Sequence, residues 1–182
     1  MTAYVDNTVF ENCNLTRFDF TDTSNSSELQ SLGVRCFRVC KFERVRIPDS
    51  VRSIEDECFA ACPNLVEIEF GEATMLEVLP GRMIAGSKKI RELFAGAKVR
   101  IIEDGGIAES YGLMDVKVSE ENMKFRGSEG MIVSKDGEEI WCFAGGREKV
   151  KIGGRVKRIR SSAFMNCVNL REVEIDGGSE IE

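Results

Sequence analysis

Two cysteine pairs are the residues of this chain whose types and spacing could support chemistry. Cys36 and Cys40 stand in CFRVC, and Cys58 and Cys62 stand in CFAAC, 22 residues further on. If the two pairs lay on adjacent turns of a repeat, about 5 Å apart, four thiolates could bind zinc, and Cys36 and Cys58 could form a disulfide. Cysteines also suit buried turns, because they are small and weakly polar, and this packing interpretation is the one we favour. We therefore predict no metal site.

The other ingredients of catalysis are missing from the sequence. The chain has no histidine, which removes the commonest general base and the Ser–His and Cys–His nucleophile pairs. Ser110 and Ser161 therefore lack the usual activating partner, and the glycine pairs do not follow the spacing of a phosphate-binding loop. We predict no catalytic residues, no cofactor and no enzymatic activity.

Composition and charge narrow the class of protein further. The 182 residues suffice for one domain, and the apolar and charged fractions of 42% and 31% are typical of a globular chain. No apolar run approaches the roughly 20 residues that span a bilayer, so we expect no membrane insertion. The net charge of -6 argues against nucleic-acid binding. The start of the sequence, MTAYVDNTVFENC, lacks the features of a signal peptide, which by itself favours a cytoplasmic location with free thiols.

An internal repeat supplies the elements that would position these residues. FAACPNLVEIEF at 59–70 returns as FMNCVNLREVEI at 164–175, and both segments begin with an anchor phenylalanine. The anchor positions are Phe10, Phe37, Phe59, Ile84, Ile107 and Phe164. The steps between them are 27, 22, 25, 23 and 57 residues, and the last equals 23 plus an insertion of 34. The sequence thus predicts six units with a period near 23.

Each unit repeats the same columns around its anchor. Five residues before the anchor stand Val5, Leu32, Ile54, Leu79, Ile102 and Ile159. Three residues after it stand Cys13, Cys40, Cys62, Ser87, Ser110 and Cys167. Two apolar columns then alternate with charged residues, as in VEIEF and REVEI, which predicts a short strand in each unit. Stacked units would turn the apolar columns into a continuous core, with the cysteine and serine column in a tight interior turn.

A family resemblance follows from these residues. VRIPDSVRSIEDECFAACPNLVEIEF, at 45–70, resembles the leucine-rich repeat of BspA-type surface antigens. The resemblance implies one α/β repeat solenoid over 1–182, made mostly of short β-strands with a few short helical turns. One such helix is predicted in NSSELQSLG at 25–33, where Asn25 could cap it and Gly33 could end it. A β-hairpin insertion is predicted at about 120–152, with SKDG as its turn.

The outward positions of the repeated strands predict a partner-binding surface on the concave side of the solenoid. One outward column contains Arg17, Arg44, Glu67, Glu92, Asp115 and Glu172. Its neighbour contains Asp19, Arg46, Glu69, Phe94, Lys117 and Glu174. The first units are mainly basic and the later ones mainly acidic, and an outward Phe94 resembles an interface anchor. Two alternatives remain: the charges form a solvated surface with pairs such as Arg46 and Glu69, or unit four is shifted by one residue and Phe94 is core.

These patterns predict protein recognition as the function. Trp141, in the predicted hairpin, could help to bind the partner or could pack the hairpin onto the solenoid. The family resemblance implies adhesion at a cell surface, whereas the sequence itself leaves an intracellular scaffold open. A self-assembling unit is a third interpretation, because a last unit followed by DGGSEIE would expose an apolar edge that could form a homodimer through the C-terminal repeat.

Overall fold

The computed structural model describes residues 3–18, 29–71, 73–178 and 181, and these residues form a β-solenoid. Seven turns, here called rungs, are distinguished by their strands: 3–18, 29–47, 53–70, 78–95, 101–118, 139–152 and 158–175. The strands are β1 Ala3–Val5, β2 Leu29–Leu32, β3 Arg44–Ile47, β4 Ser53–Ile54, β5 Glu67–Phe70, β6 Val78–Leu79, β7 Glu92–Ala95, β8 Ile101–Ile102, β9 Asp115–Val118, β10 Phe125–Ser128, β11 Met131–Ser134, β12 Glu139–Phe143, β13 Lys149–Ile152, β14 Arg158–Ile159 and β15 Glu172–Ile175.

Short strands form the first parallel ladder along the solenoid. β1, β2 and β4 make one sheet, in which Val5 lies opposite Leu32 and Leu32 opposite Ile54. β6 and β8 make the next, with Leu79 opposite Ile102. The apolar column that precedes each anchor by five residues is therefore aligned from Val5 to Ile54 and from Leu79 to Ile102, as the sequence predicts.

Longer strands form the second parallel ladder. β3 pairs with β5, β7 with β9, and β13 with β15, each without a register shift. The inward residues Val45, Ile68, Leu93 and Val116 are at most 6% exposed, while charged residues alternate with them on the outer side. This is the period-two pattern that the sequence predicts for each unit.

The turns around the anchor residues form a third ladder of hydrogen bonds. The backbone N–H groups of Phe10, Phe37 and Phe59 donate to the carbonyls of Cys36, Cys58 and Met83 in the next rung, at 2.9, 3.0 and 2.9 Å. The residues two places before and after each anchor adopt positive φ: Thr8, Arg35, Glu57, Arg82, Gly105 and Ser162 on one side, and Asn12, Val39, Ala61, Gly86, Glu109 and Asn166 on the other. The corners of each rung are thus set by paired left-handed residues.

Two apolar clusters make up the core. The larger one contains the anchor rings, with centroids of Phe10 and Phe37 5.3 Å apart and of Phe37 and Phe59 5.6 Å apart. Phe164 packs in the second cluster, where its ring lies 5.1 Å from that of Phe143. The first three anchors therefore form a single file, and Phe143 is the aromatic neighbour of the last.

The predicted insertion contains a hairpin and a rung. β10, β11 and β12 pair antiparallel, and Gly137 has a φ of 82° in the turn between β11 and β12. β12 then pairs parallel with β14, with Ile140 opposite Ile159, and β13 pairs parallel with β15. Residues 139–152 thus continue both ladders, although they carry no Phe-anchored turn.

The predicted helical turns are absent from the described residues, so the α/β assignment is corrected to a β-solenoid there. Residues 25–28 of the predicted helix lie outside the described part of the chain, and Leu29–Leu32 form strand β2. β2 pairs with β1 on one side and β4 on the other, and these backbone hydrogen bonds outweigh a capping signal. Within the described ranges, no helix is long and apolar enough to cross a membrane.

Candidate binding face

The outer side of β3, β5, β7, β9, β13 and β15, here called the long-strand face, carries the predicted site residues in register. Arg44 lies opposite Glu67, and Arg46 lies opposite Glu69. Glu92 likewise lies opposite Asp115, and Phe94 opposite Lys117. Arg17 belongs to the first rung, and Asp19 lies outside the described residues. The structure thus aligns the two columns on neighbouring strands, whereas their role in binding stays a prediction.

The charges of the first paired strands neutralise one another across the sheet. Arg44 Nη1 lies 3.3 Å from Glu67 Oε2, and Arg46 Nε lies 3.8 Å from Glu69 Oε1. All four side chains are at least half exposed, so solvent screens both pairs and each contributes little to stability. This arrangement agrees with the alternative that these charges form a solvated, ion-paired surface.

A diagonal pair continues this pattern on β7 and β9. Lys117 Nζ lies 2.9 Å from Glu92 Oε2, and the hydrogen bond and charge of Glu92 raise the pKa of Lys117. Asp115 turns instead toward its own strand, where its Oδ1 accepts a hydrogen bond from the N–H of Val116 at 3.0 Å. The acids in the middle of the face are therefore partly engaged within the sheet.

Phe94 is the aromatic residue of this surface. Leu93 and Ala95 on either side are each 1% exposed, while Phe94 itself is half-buried and points outward. Strand β7 is therefore in register with the other long strands, which excludes the alternative in which a shift makes Phe94 a core residue.

Two lysines on β13 were missed by the sequence analysis. Lys149 lies opposite Glu172, with which it forms an ion pair, and Lys151 Nζ lies 2.9 Å from Asp176 Oδ1. The alternation in EKVKI at 148–152 could have revealed them, but the missing anchor turn hid this rung. The later part of the face is consequently mixed in charge and not mainly acidic.

A groove of about 570 Å³ opens at the N-terminal end of the long-strand face. Its lining combines predicted and unpredicted residues: Thr16, Arg17, Phe18, Lys41, Glu43, Arg44, Val45, Arg46, Asn64, Glu67 and Glu69. Asn64 is held in place because its Nδ2 donates to the carbonyl of Lys41 at 3.3 Å and its Oδ1 accepts from Lys89 Nζ at 2.9 Å. Lys41 and Asn64 directly precede Phe42 and Leu65, which are equivalent apolar residues of successive units. This repeated position in the sequence could have identified them.

The family follows from a comparison of the sequence with family models. The BspA type leucine rich repeat region matches residues 2–127 and 139–181, as six copies. This chain belongs to the BspA-type leucine-rich repeat family. The unmatched residues 128–138 contain β11 and the hairpin turn, so the family pattern resumes where β12 rejoins the ladder.

Solved structures share the BspA-type fold. The pneumococcal vaccine antigen PcpA aligns with a TM-score of 0.84 at 20% identity, over 96% of this chain and 43% of that one. A leucine-rich cell surface protein from Faecalibacterium prausnitzii A2-165 aligns with a TM-score of 0.61 at 19% identity, over 94% and 52%. A leucine-rich repeat protein from Bacteroides ovatus ATCC 8483 gives 0.62 at 20% identity, over 95% and 52%. The chain spans about half of these proteins or less. No curated protein matches the sequence.

The cysteines of the BspA-type repeat serve the interior turn in the way the sequence predicts. Cys40 Sγ donates to the carbonyl of Phe10 at 3.2 Å, and Cys62 Sγ donates to that of Phe37 at 3.2 Å. Burial raises the pKa of Cys40 to about 11 and that of Cys62 to about 12, so both are protonated donors at neutral pH. Across the part of the chain that the structure describes, no three histidine, cysteine or acidic side chains are grouped to hold a metal ion.

Trp141 packs the hairpin of this BspA-type chain against the solenoid. Its half-buried ring lies against the main core, with the centroid of Phe125 at 5.3 Å in an edge-to-face arrangement. The guanidinium carbon of Arg160 lies 4.4 Å from the centroid of the Trp141 ring. These contacts favour the packing interpretation of Trp141.

The rung at 158–175 exposes positions that the BspA-type rung at 139–152 buries. Val173 and Ile175 on β15 are 50% and 55% exposed, whereas Val150 and Ile152, their partners on β13, are 4% and 1% exposed. Among the described strands β15 pairs only with β13, as β5 pairs only with β3 and β9 only with β7, so the exposure of its side chains is what distinguishes β15.

Proposed function

We propose that this BspA-type chain binds a protein partner through its long-strand face, centred on the groove at the N-terminal end. The groove carries this proposal, because its volume of about 570 Å³ coincides with predicted site residues and exceeds the roughly 170 Å³ of the concavity beside Glu172 and Glu174 on the same face. Leucine-rich repeat solenoids offer extended surfaces of this kind, and their stacked rungs keep such a surface rigid before binding.

Paired charges on the groove would give selectivity more than affinity. Arg44 and Arg46 stand beside Glu67 and Glu69, so a partner must offer acids and bases in the opposite order to replace these ion pairs. Phe94 lies one rung beyond Glu69 and would add the apolar contact that dominates many interfaces.

A surface role, with adhesion as its purpose, is part of this proposal. It is supported by the family and by two structural neighbours, one described as a vaccine antigen and the other as a cell surface protein. An intracellular scaffold uses the same face, and surface labelling of cells that express the native protein separates the two locations. The absence of enzymatic activity stays a prediction. It is consistent with a repeat fold, because such folds offer extended surfaces for binding other molecules.

Charge reversal and charge exchange test the binding face. The variant Arg44→Glu/Arg46→Glu breaks both ion pairs, while Arg44→Glu/Glu67→Arg exchanges the members of one pair and keeps it. Both variants should retain the wild-type melting temperature, because these side chains are exposed. Partners captured by immobilised wild-type protein should lose at least tenfold in affinity for either variant.

A matched control uses the ion pair of Arg100 and Glu77, which lies beside the short strands. Exchange through Arg100→Glu/Glu77→Arg should leave the affinity unchanged. Equal losses from this exchange and from the Arg44 exchange would refute the assignment of binding to the long-strand face.

Self-association of this chain through β15 is a second candidate function, favoured by the exposure of Val173 and Ile175. A second copy that adds a strand to β15 would cover both side chains and pair the open edge. Light scattering should then give a mass that rises with concentration, and Val173→Lys/Ile175→Lys should restore the monomer. A monomer at all concentrations would exclude this candidate and leave the groove proposal intact.

A further inference from the structure

Two buried thiols of neighbouring rungs are in direct contact. Cys36 Sγ and Cys58 Sγ are 3.4 Å apart, in adjacent rungs and 22 residues apart in sequence. Both residues are 0% exposed. Their rungs are joined at this point by the hydrogen bond from the Phe37 N–H to the Cys58 carbonyl, at 3.0 Å.

Cys36 and Cys58 differ in this respect from the other adjacent pair. Cys40 and Cys62 also occupy one column, but their Sγ atoms donate to the carbonyls of Phe10 and Phe37. The Sγ atoms of Cys36 and Cys58 contact each other directly, although Cys58 also has a hydrogen bond with the backbone of Phe37. A metal ion does not explain this pair, because no third ligand of the described residues joins it.

We propose that Cys36 and Cys58 form a disulfide that joins the second and third rungs when the chain folds in the presence of a small-molecule disulfide. Cys36 and Cys58 lie in turns of rungs joined by backbone hydrogen bonds, and the usual spacing of about 4.8 Å between such chains lies within the range of about 4.4–6.8 Å between Cα atoms of disulfide-linked residues. A shift of about 1.4 Å between the sulfur atoms, within the freedom of two side chains, then gives a bond of about 2.0 Å.

The reaction is a pair of thiol–disulfide exchanges. The thiolate of one cysteine attacks a sulfur of oxidised glutathione, forms a mixed disulfide and releases one glutathione thiolate. The thiolate of the other cysteine then attacks the protein sulfur and releases the second glutathione. The two cysteines lose two protons and two electrons in all, and oxidised glutathione is reduced to two thiols.

Burial determines when the bond can form. Desolvation raises the pKa of Cys58 well above its usual value of 9.0, and neither sulfur is open to a reagent in the folded rungs. The exchange therefore takes place while the rungs close, or during local opening. A chain folded under reducing conditions keeps both thiols, and a chain folded with oxidant keeps the bond.

Peptide mapping tests the bond directly. The reduced, unfolded chain is refolded in a buffer of reduced and oxidised glutathione, alkylated, and digested with trypsin without reductant. Trypsin separates Cys36 in CFR at 36–38 from Cys40 in VCK at 39–41, while Cys58 and Cys62 share the peptide 53–82. We expect CFR linked to 53–82, two hydrogen atoms lighter than the free peptides, and fragmentation that places the link at Cys58.

Two further arms make the result decisive. The folded, reduced protein, kept in the same buffer, should form the link at least tenfold more slowly. The linked protein should melt about 5–10 °C higher than the reduced one, and reductant should abolish the difference. Cys58→Ala should not show this rise, whereas Cys62→Ala should keep it. Peptide mapping of the wild-type protein overturns the proposal in either of two cases. The peptide VCK carries the link, or all seven cysteines are found alkylated.

Discussion

The rings of Phe37 and Phe59 are nearly parallel, with planes inclined by 2° and centroids 5.6 Å apart. Both side chains are fully buried, and Phe10 continues the file on the other side of Phe37. The stacking arises because equivalent residues of successive rungs have the same backbone geometry and the same rotamer environment.

Truncation at the centre of this file should be among the most costly changes in the core. Phe37→Ala should lower the free energy of unfolding by about 3–5 kcal/mol, because the cavity lies between rings on both sides. Phe37→Leu should cost about 1.5 kcal/mol, since aliphatic Ile84 and Ile107 serve as anchors in other rungs. Denaturant unfolding measures both values. Phe164→Ala serves as the control and should cost less, because Phe164 is only half-buried. An equal or larger loss of stability in Phe164→Ala would contradict the central role of Phe37.

The outward position of Phe94 predicts a small structural role. Phe94→Ala should lower the free energy of unfolding by less than about 1.5 kcal/mol, because much of the ring is already in contact with water. Leu93→Ala, on the inner side of the same strand, should cost about 2–5 kcal/mol. If chemical denaturation shows the two losses to be equal, Phe94 acts as a core residue and its assignment as an interface anchor fails.

The sequence was sufficient to predict the register of β3 and β5, whereas it left the register of β7 open. Alternation in ERVRI and VEIEF allows only one phase with Val45 and Ile68 inside, because a slip of one residue would bury charges. The rung at 139–152 could not be found in the same way, since it lacks the anchor turn that defined the columns. The left-handed corners also escaped detection, because residues such as Arg35 and Glu57 carry no sequence signal for positive φ.

Val39 is the valine among the described left-handed corners, where Thr8 is also β-branched. It has a φ of 61°, a conformation that costs most L-residues about 1–2 kcal/mol. Val39→Asn should therefore raise the free energy of unfolding by about 1 kcal/mol, because asparagine tolerates this region. The N–H of residue 39 still donates to the Ala60 carbonyl, which is 2.9 Å away in the wild type.

Val9→Asn provides the control for this change. Val9 is 51% exposed and has no positive φ, so its replacement should leave the stability nearly unchanged. Thermal unfolding of the two variants and the wild type tests this prediction. A loss of stability in Val39→Asn would show that packing of the valine side chain outweighs its backbone strain.

Asn122 connects the hairpin to the solenoid through four hydrogen bonds. Its Nδ2 donates to the carbonyls of Gly96 and Val99 at 2.9 and 2.8 Å, and its Oδ1 accepts from the N–H groups of Lys124 and Phe125 at 2.9 and 2.8 Å. Asn122→Ala should lower the free energy of unfolding by about 3 kcal/mol or more, since buried backbone groups lose their partners.

Asn122→Asp distinguishes the two sides of this residue. It keeps the acceptor but places a carboxylate against two carbonyl oxygens, so we expect a loss similar to that of alanine. Asn64→Ala removes two exposed bonds, one donated to the Lys41 carbonyl at 3.3 Å and one accepted from Lys89 Nζ at 2.9 Å, and should cost less than about 1 kcal/mol. Hydrogen exchange of the Lys124 and Phe125 amides provides the local measurement, and amides that remain protected in Asn122→Ala would disprove the connection.

The groove shows why the candidate site was only partly predictable. Arg44, Arg46, Glu67 and Glu69 follow from strand alternation, because each outward position lies beside its equivalent in the next rung. The other lining residues, such as Lys41, reach the groove from turns whose path depends on the stacking of whole rungs. Sequence periodicity thus predicts the sheet but not the shape of its edge.

The ion pair of Lys149 and Glu172 gives the last rungs a defined pH dependence. The hydrogen bond and charge of Lys149 lower the pKa of Glu172 below its usual value of 4.5, and Glu172 in turn raises the pKa of Lys149 above 10.5. A lowered carboxyl pKa contributes stability that is fully present above pH 4.5 and is lost as the pH falls through the folded value. A raised ammonium pKa contributes stability that is present below pH 10.5 and is lost above it. The pair therefore favours the folded state between these limits.

Carboxyl titration followed by NMR should place the midpoint of Glu172 below 4.5 in the wild type. Lys149→Gln should move this midpoint up toward 4.5, while Lys151→Gln should move it less, because Lys151 pairs with Asp176. Glu174 also interacts with Glu172, so its own titration must be followed in the same spectra. A Glu172 midpoint that Lys149→Gln leaves unchanged would show that the two side chains do not interact in solution, because no other lysine or arginine of the described residues forms an ion pair with Glu172.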